Sequence, residues 1–316
     1  MAEKNILIIK LGALGDFVQA LGPIAAIRRH HEDARLVLLT TAPYVGLAEA
    51  TGFFDQVWTD SRPGRFNFAG WWGLRKRLRG GWFTRVYDLQ TSARSSLYFR
   101  LFQPSPVPEW SGIAGGCSHP HDNPKRDLMH TIERQGEQLK MAGIENVPGP
   151  EAIVGLTGLN ADISEFGLPG DFALLAPGGA PHRPRKRWPQ EKFSQLAGRL
   201  AATGLTPVLL GTKTEEDALN AIAGDCPEAV NLAGRTDLLQ IAGLARRARV
   251  AVGNDTGPMH LIAGLGCPSV VLYSADSDPA LCGQRGAGVT ILRSQNLADL
   301  GVDDVVAAAK AGAKAG

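Results

Sequence analysis

Short apolar runs alternate with stretches of helical periodicity along this chain, the pattern of a parallel sheet whose strands are joined by helical crossovers. In the first half, residues 5–10 predict a strand, 16–30 a helix, 35–40 a strand, 44–51 a helix and 83–89 a strand. Across residues 143–158 the periodicity dissolves into Gly, Pro and Asn, including Val147-Pro148-Gly149-Pro150, which marks a linker. A second series follows, with strands at 172–176, 207–210, 229–232, 250–252 and 269–273, and helices at 190–202, 215–223, 238–247 and 258–265 between them. The Ala-rich segment 300–314 reads as an amphipathic helix that closes the fold or crosses back to the first half. The expectation is an α/β protein of two Rossmann-like domains, 1–153 and 154–316, facing across a cleft. A length of 316 residues agrees, since it exceeds what one hydrophobic core serves.

Open parallel sheets bind ligands beyond the carboxyl ends of their strands, where the strand order reverses. Chemistry is therefore sought just after predicted strands. The first such loop is Gly12-Ala13-Leu14-Gly15-Asp16. It lacks the Gly-x-Gly-x-x-Gly spacing of a dinucleotide site, and the second strand ends in Thr40-Thr41 without the acid that would hold a ribose, so a nicotinamide oxidoreductase is disfavoured. Asp16 at a helix start can cap free N–H groups, or take a proton from an incoming hydroxyl, or both. The Gly22-Pro23 pair should kink or restart the helix that follows.

Two loops of the second half carry anion chemistry. After the strand at 172–176 come Pro177-Gly178-Gly179 and then the basic run His182-Arg183-Pro184-Arg185-Lys186-Arg187-Trp188-Pro189, suited to a diphosphate or simply a solvated turn. After the strand at 250–252 comes Gly253-Asn254-Asp255-Thr256-Gly257-Pro258-Met259-His260, with Pro258 in a favoured first-turn position. There the helix N–H groups and the Thr256 hydroxyl can hold phosphate, Gly257 lets the backbone approach, and His260 is either a further contact or a structural residue. Glu215 and Glu216, after the strand at 207–210 and the turn Gly211-Thr212-Lys213-Thr214, are helix-start acids that could alternatively accept ribose hydroxyls. Asp276-Ser277-Asp278 has a metal-binding spacing, but a turn at Ser-Asp-Pro explains it more simply.

Composition narrows the field. The net charge of +2 gives no general reason to expect nucleic acid. Four isolated cysteines without a Cys-x-x-Cys pair exclude a zinc ribbon and point to a reducing, cytoplasmic setting. The N-terminal segment has no signal-peptide core, and no apolar run approaches the ~18 residues of a membrane span. One stretch departs from the balance: Arg62, Arg65, Arg75, Lys76, Arg77, Arg79 and Arg85 stand without an acid among them, interleaved with Phe66, Phe68, Trp71, Trp72, Trp82 and Phe83. Such a mixture suits an anionic glycolipid or a membrane surface, or a helix with one face buried and one solvated.

Taken together, residues 8–16 (Ile-Ile-Lys-Leu-Gly-Ala-Leu-Gly-Asp), Asp88-Leu89-Gln90, Lys186-Arg187-Trp188-Pro189 and Asn254-Asp255-Thr256-Gly257-Pro258-Met259-His260 resemble glycosyltransferase family 9, the ADP-heptose:lipopolysaccharide heptosyltransferases. The resemblance implies a GT-B architecture and an inverting transfer from a nucleotide sugar, with Asp16 as base. It further implies that Lys186 holds the donor diphosphate, Asp255 faces the transferred sugar, Thr256 and Gly257 bind phosphate, and Glu215 or Glu216 lies near the ribose. His260 joins the donor set. Lys10, Gly15 and Gln90, with Arg62 and Arg65 of the cationic stretch, are the expected acceptor contacts. No cofactor or divalent metal is called for, the nucleotide sugar being a co-substrate. The family setting adds a lipopolysaccharide-type acceptor and peripheral contact with the cytoplasmic face of an inner membrane. Two departures bear on the donor: Pro181 and His182 stand where family members often carry adjacent hydroxyl residues, and Ser274-Ala275-Asp276 replaces a Gly-containing turn. A GT-B nucleotide-sugar epimerase, or a binding protein without catalysis, would share the donor loops. The first predicts turnover of donor alone, the second indifference to loss of Asp16.

Overall fold

The computed structural model describes residues 4–104, 106–179 and 183–313, and the chain divides into two compact units, Met1–Ala152 and Ile153–Gly316. Pro181 and His182 lie outside the described residues.

The first unit runs β1 (Asn5–Ile9), α1 (Leu14–Gln19), α2 (Leu21–His30), β2 (Arg35–Thr40), α3 (Val45–Ala50), β3 (Gln56–Thr59), α4 (Phe68–Gly80), β4 (Phe83–Asp88), α5 (Ala93–Leu101), β5 (Glu109–Gly112), β6 (His119–Pro120) and α6 (Thr131–Met141). Its six strands pair in parallel in the order β3-β2-β1-β4-β5-β6. Strand β1 is central, and Ile6, Leu7, Ile8 and Ile9 are all buried, so it reads as a continuous apolar run rather than an alternating one. The helix expected over 16–30 starts two residues earlier and breaks at Ala20. Restarting at Leu21 puts Pro23 in the first turn of α2, where no helical partner is needed for the N–H that proline lacks.

The second unit repeats the winding: β7 (Phe172–Ala176), α7 (Gln190–Ala201), β8 (Thr206–Leu209), α8 (Glu216–Asp225), β9 (Val230–Asn231), α9 (Leu238–Arg247), β10 (Val250–Asn254), α10 (Gly257–Gly264), β11 (Ser269–Tyr273), α11 (Pro279–Cys282), β12 (Val289–Arg293) and α12 (Val302–Gly312). The parallel order is β12-β11-β10-β7-β8-β9. Trp188, Phe193, Leu196 and Leu200 share a core with Val305, Val306 and Ala309 of α12, which packs on α7 and on β10, β11 and β12. Each such large side chain contributes about 1.5–3 kcal/mol on burial.

In each sheet the chain starts at the centre, winds to one edge, and returns to the other side of its first strand. The order therefore reverses between β1 and β4, and again between β7 and β10. Crevices at such reversals take ligands. The loops that flank them, after β1 and β4 in one unit and after β7 and β10 in the other, are the ones singled out by sequence.

Candidate active site

In the first unit, the loop after β1 is pinned from two sides. Leu11 donates its N–H to Gln90 Oε1 (2.8 Å) and accepts the Thr41 hydroxyl at its carbonyl (3.0 Å). Gly12 then adopts φ +117°, and a Cβ there would stand 2.5 Å from the Tyr44 ring. Only glycine satisfies both demands. Because α1 begins at Leu14 with Ala13 as its cap residue, Asp16 lies inside the first turn rather than at the cap. Its half-buried carboxylate makes no hydrogen bond among the described residues. Capping therefore does not explain this acid.

Charged groups gather around it. Lys10 is only 3% exposed and donates from Nζ to the Leu89 carbonyl at 3.0 Å. Burial draws its pKa down to about 8 against the opposing pull of the Asp16 and Asp88 carboxylates. Asp88, also buried, accepts the N–H groups of Gln90 (3.1 Å) and Thr91 (3.0 Å), and burial pushes it up to about 6. The Tyr44 phenol is raised by burial and then by Asp16.

Among the expected acceptor contacts, Lys10 is buried and engaged with the Leu89 carbonyl. The side-chain oxygen of Gln90 is committed to the Leu11 amide, so this residue also shapes the loop. Gly15 falls within the first turn of α1. Arg62 is exposed and its charge acts on Tyr44, which places it near the group. Arg65 instead stacks over Phe66 and borders an open groove with Trp71, Arg94, Leu97 and Arg100.

In the second unit, the loops after β7, β8, β10 and β11 meet. Asn254, at the end of β10, accepts the Trp188 N–H (3.0 Å) and donates to the carbonyls of Pro177 (2.8 Å) and Gly178 (3.1 Å). Lys186 reaches Asp255 Oδ2 at 2.9 Å. Ser277 donates to the same oxygen at 2.8 Å, while the Tyr273 hydroxyl lies 3.0 Å and Gln284 Nε2 3.3 Å from Oδ1. Burial alone would raise Asp255, but the Lys186 ammonium and these donors hold its carboxyl below the usual range.

Thr256 precedes α10, and its Oγ1 is sealed from solvent without a hydrogen-bond partner among the described residues. A buried hydroxyl beside the free N–H groups of a helix start is suited to an anionic oxygen. His260 is buried one turn further on. Glu215 spans two loops, accepting Gly179 N–H (2.9 Å) at Oε1 and the Thr212 N–H and hydroxyl (both 2.8 Å) at Oε2. A Cβ on Gly178 would lie 2.1 Å from that carboxylate, so the glycine is required for the contact. Glu215 lines a pocket with Pro177, Gly178, Trp188 and Thr214, whereas Glu216 is exposed at the start of α8. The acids 276 and 278 are otherwise employed: Asp276 pairs with Arg185 and Asp278 caps α11.

Sequence reasoning missed Tyr44, Tyr273, Ser277 and Gln284. Tyr273 ends a predicted strand next to β10, so the strand-end rule could have found it. Gln284 follows the short helix α11 and lies outside any strand end, so no such signal marks it.

The sequence profile of glycosyltransferase family 9 (heptosyltransferase) matches residues 71–301. The chain belongs to glycosyltransferase family 9. A relative, lipooligosaccharide heptosyltransferase 2 of Haemophilus influenzae, is 35% identical over 104 residues, 31% of this chain and 30% of that one, so the match spans less than a third of the relative's length. Family 9 structures share the fold over nearly the whole chain. A glycosyl transferase of the family from Veillonella parvula superposes with a TM-score of 0.85 at 20% identity, covering 98% of this chain and 97% of that one. The ADP-heptose lipopolysaccharide heptosyltransferase II of E. coli gives 0.78 at 21% identity, covering 98% of each. The architecture is GT-B, built from two Rossmann-like units.

Proposed function

We propose that this protein is an inverting glycosyltransferase that moves a heptose from ADP-heptose to a lipopolysaccharide-core or related glycolipid acceptor. The observation that carries the reading is Asp16, a half-buried carboxylate without a hydrogen bond among the described residues, held beside buried Lys10 at a strand-order reversal. In this role Asp16 takes the proton of the acceptor hydroxyl, whose oxygen forms a bond to the anomeric carbon. The bond from that carbon to the diphosphate breaks, ADP leaves with the electron pair, and the configuration inverts. One base and a stabilised leaving group suffice.

The donor loops supply the second requirement. The start of α10, the Thr256 hydroxyl and the Lys186 ammonium meet the charge on departing ADP, with Gly257 permitting close approach. Asp255 meets sugar hydroxyls, His260 backs the phosphate loop, and Glu215, at the pocket beside Gly178, is the ribose contact in preference to exposed Glu216. Membership of family 9, and a structural relative named for ADP-heptose and lipopolysaccharide, support the choice of donor and acceptor.

An acceptor carried on a lipid fits one surface of the first unit. Phe66, Phe68, Trp72 and Trp82 are between 66% and 80% exposed. Helix α4 buries Leu74 and Leu78 and turns Phe68, Trp72 and Lys76, spaced by four, outwards. Rings and cations on one face match an anionic bilayer surface, here the inner face of an inner membrane. No described helix is long and apolar enough to cross a membrane.

The test is transfer from ADP-heptose to a heptose-deficient lipopolysaccharide acceptor, read as product and ADP together. Asp16→Asn should lower kcat by about 10²–10⁴-fold and leave the dissociation constant of ADP-heptose unchanged. Full activity of that variant would remove Asp16 as base, and donor conversion without acceptor would make the protein an epimerase.

A further inference from the structure

We propose that the Lys186–Asp255 ion pair is a lock on the donor site: Asp255 accepts a hydroxyl of the transferred sugar only after a diphosphate has drawn Lys186 away. The lock deepens the transfer reading proposed above and rests on it. Its parts all belong to the second unit.

Four donors reach the Asp255 carboxylate among the described residues, and they divide into a wall and a latch. At Oδ1 stand Gln284 Nε2 (3.3 Å) and the Tyr273 hydroxyl (3.0 Å), whose proton is shared with Gln284 Oε1. Both of these side chains are buried, so this oxygen is closed to a ligand. At Oδ2 stand the Ser277 hydroxyl (2.8 Å) and Lys186 Nζ (2.9 Å). Each oxygen of a carboxylate offers about two lone-pair positions, so Oδ2 has no place for a third donor. Lys186 is the one able to leave. Ser277 is held by a short side chain, whereas the ammonium hangs on a flexible four-carbon stem and makes no second hydrogen bond among the described residues. Its other N–H groups remain available to a phosphate, and α10, whose free N–H groups suit one, begins at Gly257, two residues after Asp255.

Release of Lys186 therefore does two things at once. The cation meets the diphosphate, and a lone pair of Oδ2 opens to the sugar. Recognition of one half of the donor is thereby coupled to recognition of the other, and such coupling is reciprocal. A nucleoside diphosphate without a sugar separates the ion pair and leaves Asp255 a donor short. A nucleotide sugar separates the same pair but replaces the ammonium with a hydroxyl. The lock thus favours donor over product: once the sugar has gone, the carboxylate draws Lys186 back and hastens departure of the nucleotide.

Calorimetry on the full chain, with ADP and ADP-heptose as probes, tests the lock. Asp255→Asn should tighten ADP about three- to tenfold, because Lys186 is then free, and weaken ADP-heptose about tenfold, because the hydroxyl loses a charged acceptor. An Asp255 that only supported the fold would weaken both when replaced. Relief of simple repulsion between carboxylate and phosphate would also tighten ADP, and Lys186→Ala separates the two causes. In that background the lock predicts that Asp255→Asn changes ADP affinity by no more than about twofold, whereas repulsion predicts a gain at least as large as with the lysine present. Lys186→Gln repeats the cycle if Lys186→Ala melts below the working temperature. In transfer assays, ADP should inhibit Asp255→Asn more strongly than the native protein. Weaker binding of ADP to Asp255→Asn, or an equal gain in both backgrounds, overturns the lock and leaves the transferase reading standing. If the native protein binds UDP or GDP in place of ADP, the same cycle with that nucleotide and its sugar conjugate keeps the lock and overturns ADP-heptose as donor. Failure of the native protein to bind any nucleoside diphosphate overturns both.

Discussion

Lys186 Nζ lies 2.9 Å from Asp255 Oδ2, with only 14% and 10% of the two side chains exposed. A diphosphate that recruits Lys186 must draw the ammonium at least partly away from this partner. Asp255 then keeps the Ser277 hydroxyl and the Gln284 amide, and shares the Tyr273 proton with Gln284 Oε1, 2.7 Å from the phenol, which makes the exchange tolerable. In the proposed reaction the pair would hold both residues in place until a donor binds.

Removing one partner should expose this arrangement. Lys186→Ala leaves a buried carboxylate without its cation, and a cost on the order of 3 kcal/mol is expected. Asp255→Asn in the same chain should recover much of it, which a double-mutant cycle in urea can measure. Because the fold holds Asp255 below its ordinary range, the stabilisation is present above about pH 4 and fades as pH falls through the lowered value. Lys186→Ala should flatten that acid limb.

Thr256→Val should separate stability from binding. The Thr256 hydroxyl has no protein partner among the described residues, so its loss should leave the unfolding midpoint unchanged or slightly higher. Affinity for ADP should fall about tenfold, the worth of one hydrogen bond to a charged oxygen. Calorimetry on the two proteins reads both quantities.

Lys10 supplies a pH signature on the alkaline side. Its pKa is about 8 in the fold against 10.5 ordinarily, so between those values the unfolded chain binds more protons than the folded one. Stability from this group therefore rises with pH across that window and is lowest below it. The difference in unfolding free energy between the native protein and Lys10→Met should grow in favour of the native protein by about 3 kcal/mol from pH 7 to pH 10.5. A flat difference would show that Lys10 is not desolvated.

The aromatic face of α4 predicts a lipid preference. Phe68→Ser/Trp72→Ser should abolish co-sedimentation with phosphatidylglycerol vesicles and leave turnover of a delipidated acceptor intact. Equal binding of the native protein to phosphatidylcholine vesicles would remove the electrostatic part of the argument.

Much of this site was legible because its residues stand in short loops between strongly patterned strands. The runs at 172–176, 238–247 and 269–273 coincide with β7, α9 and β11, since their apolar residues face a core on a regular period. Residues 90–142 gave no such reading. There β5 has four residues and β6 two, and α6 buries Thr131, Gln135 and Gln138 alongside Leu139. A helix that turns polar side chains inwards carries no continuous apolar stripe, which is why α6 could not be read from the sequence. The placement of Asp16 was legible, but its freedom from a cap was not, because the helix starts at Leu14 on an alanine that offers no side-chain oxygen.

The carbonyl of Leu300 accepts both the Trp188 indole N–H (3.1 Å) and the Lys192 ammonium (2.8 Å), and Ala298 accepts the same ammonium at 2.7 Å. The segment before α12 is thus the foundation under the basic loop that carries Lys186, although it contributes no side chain to the site. If Lys186 meets the donor as proposed, a substitution that breaks the turn at 297–300 would slacken nucleotide binding from a point more than a hundred residues along the chain from that lysine.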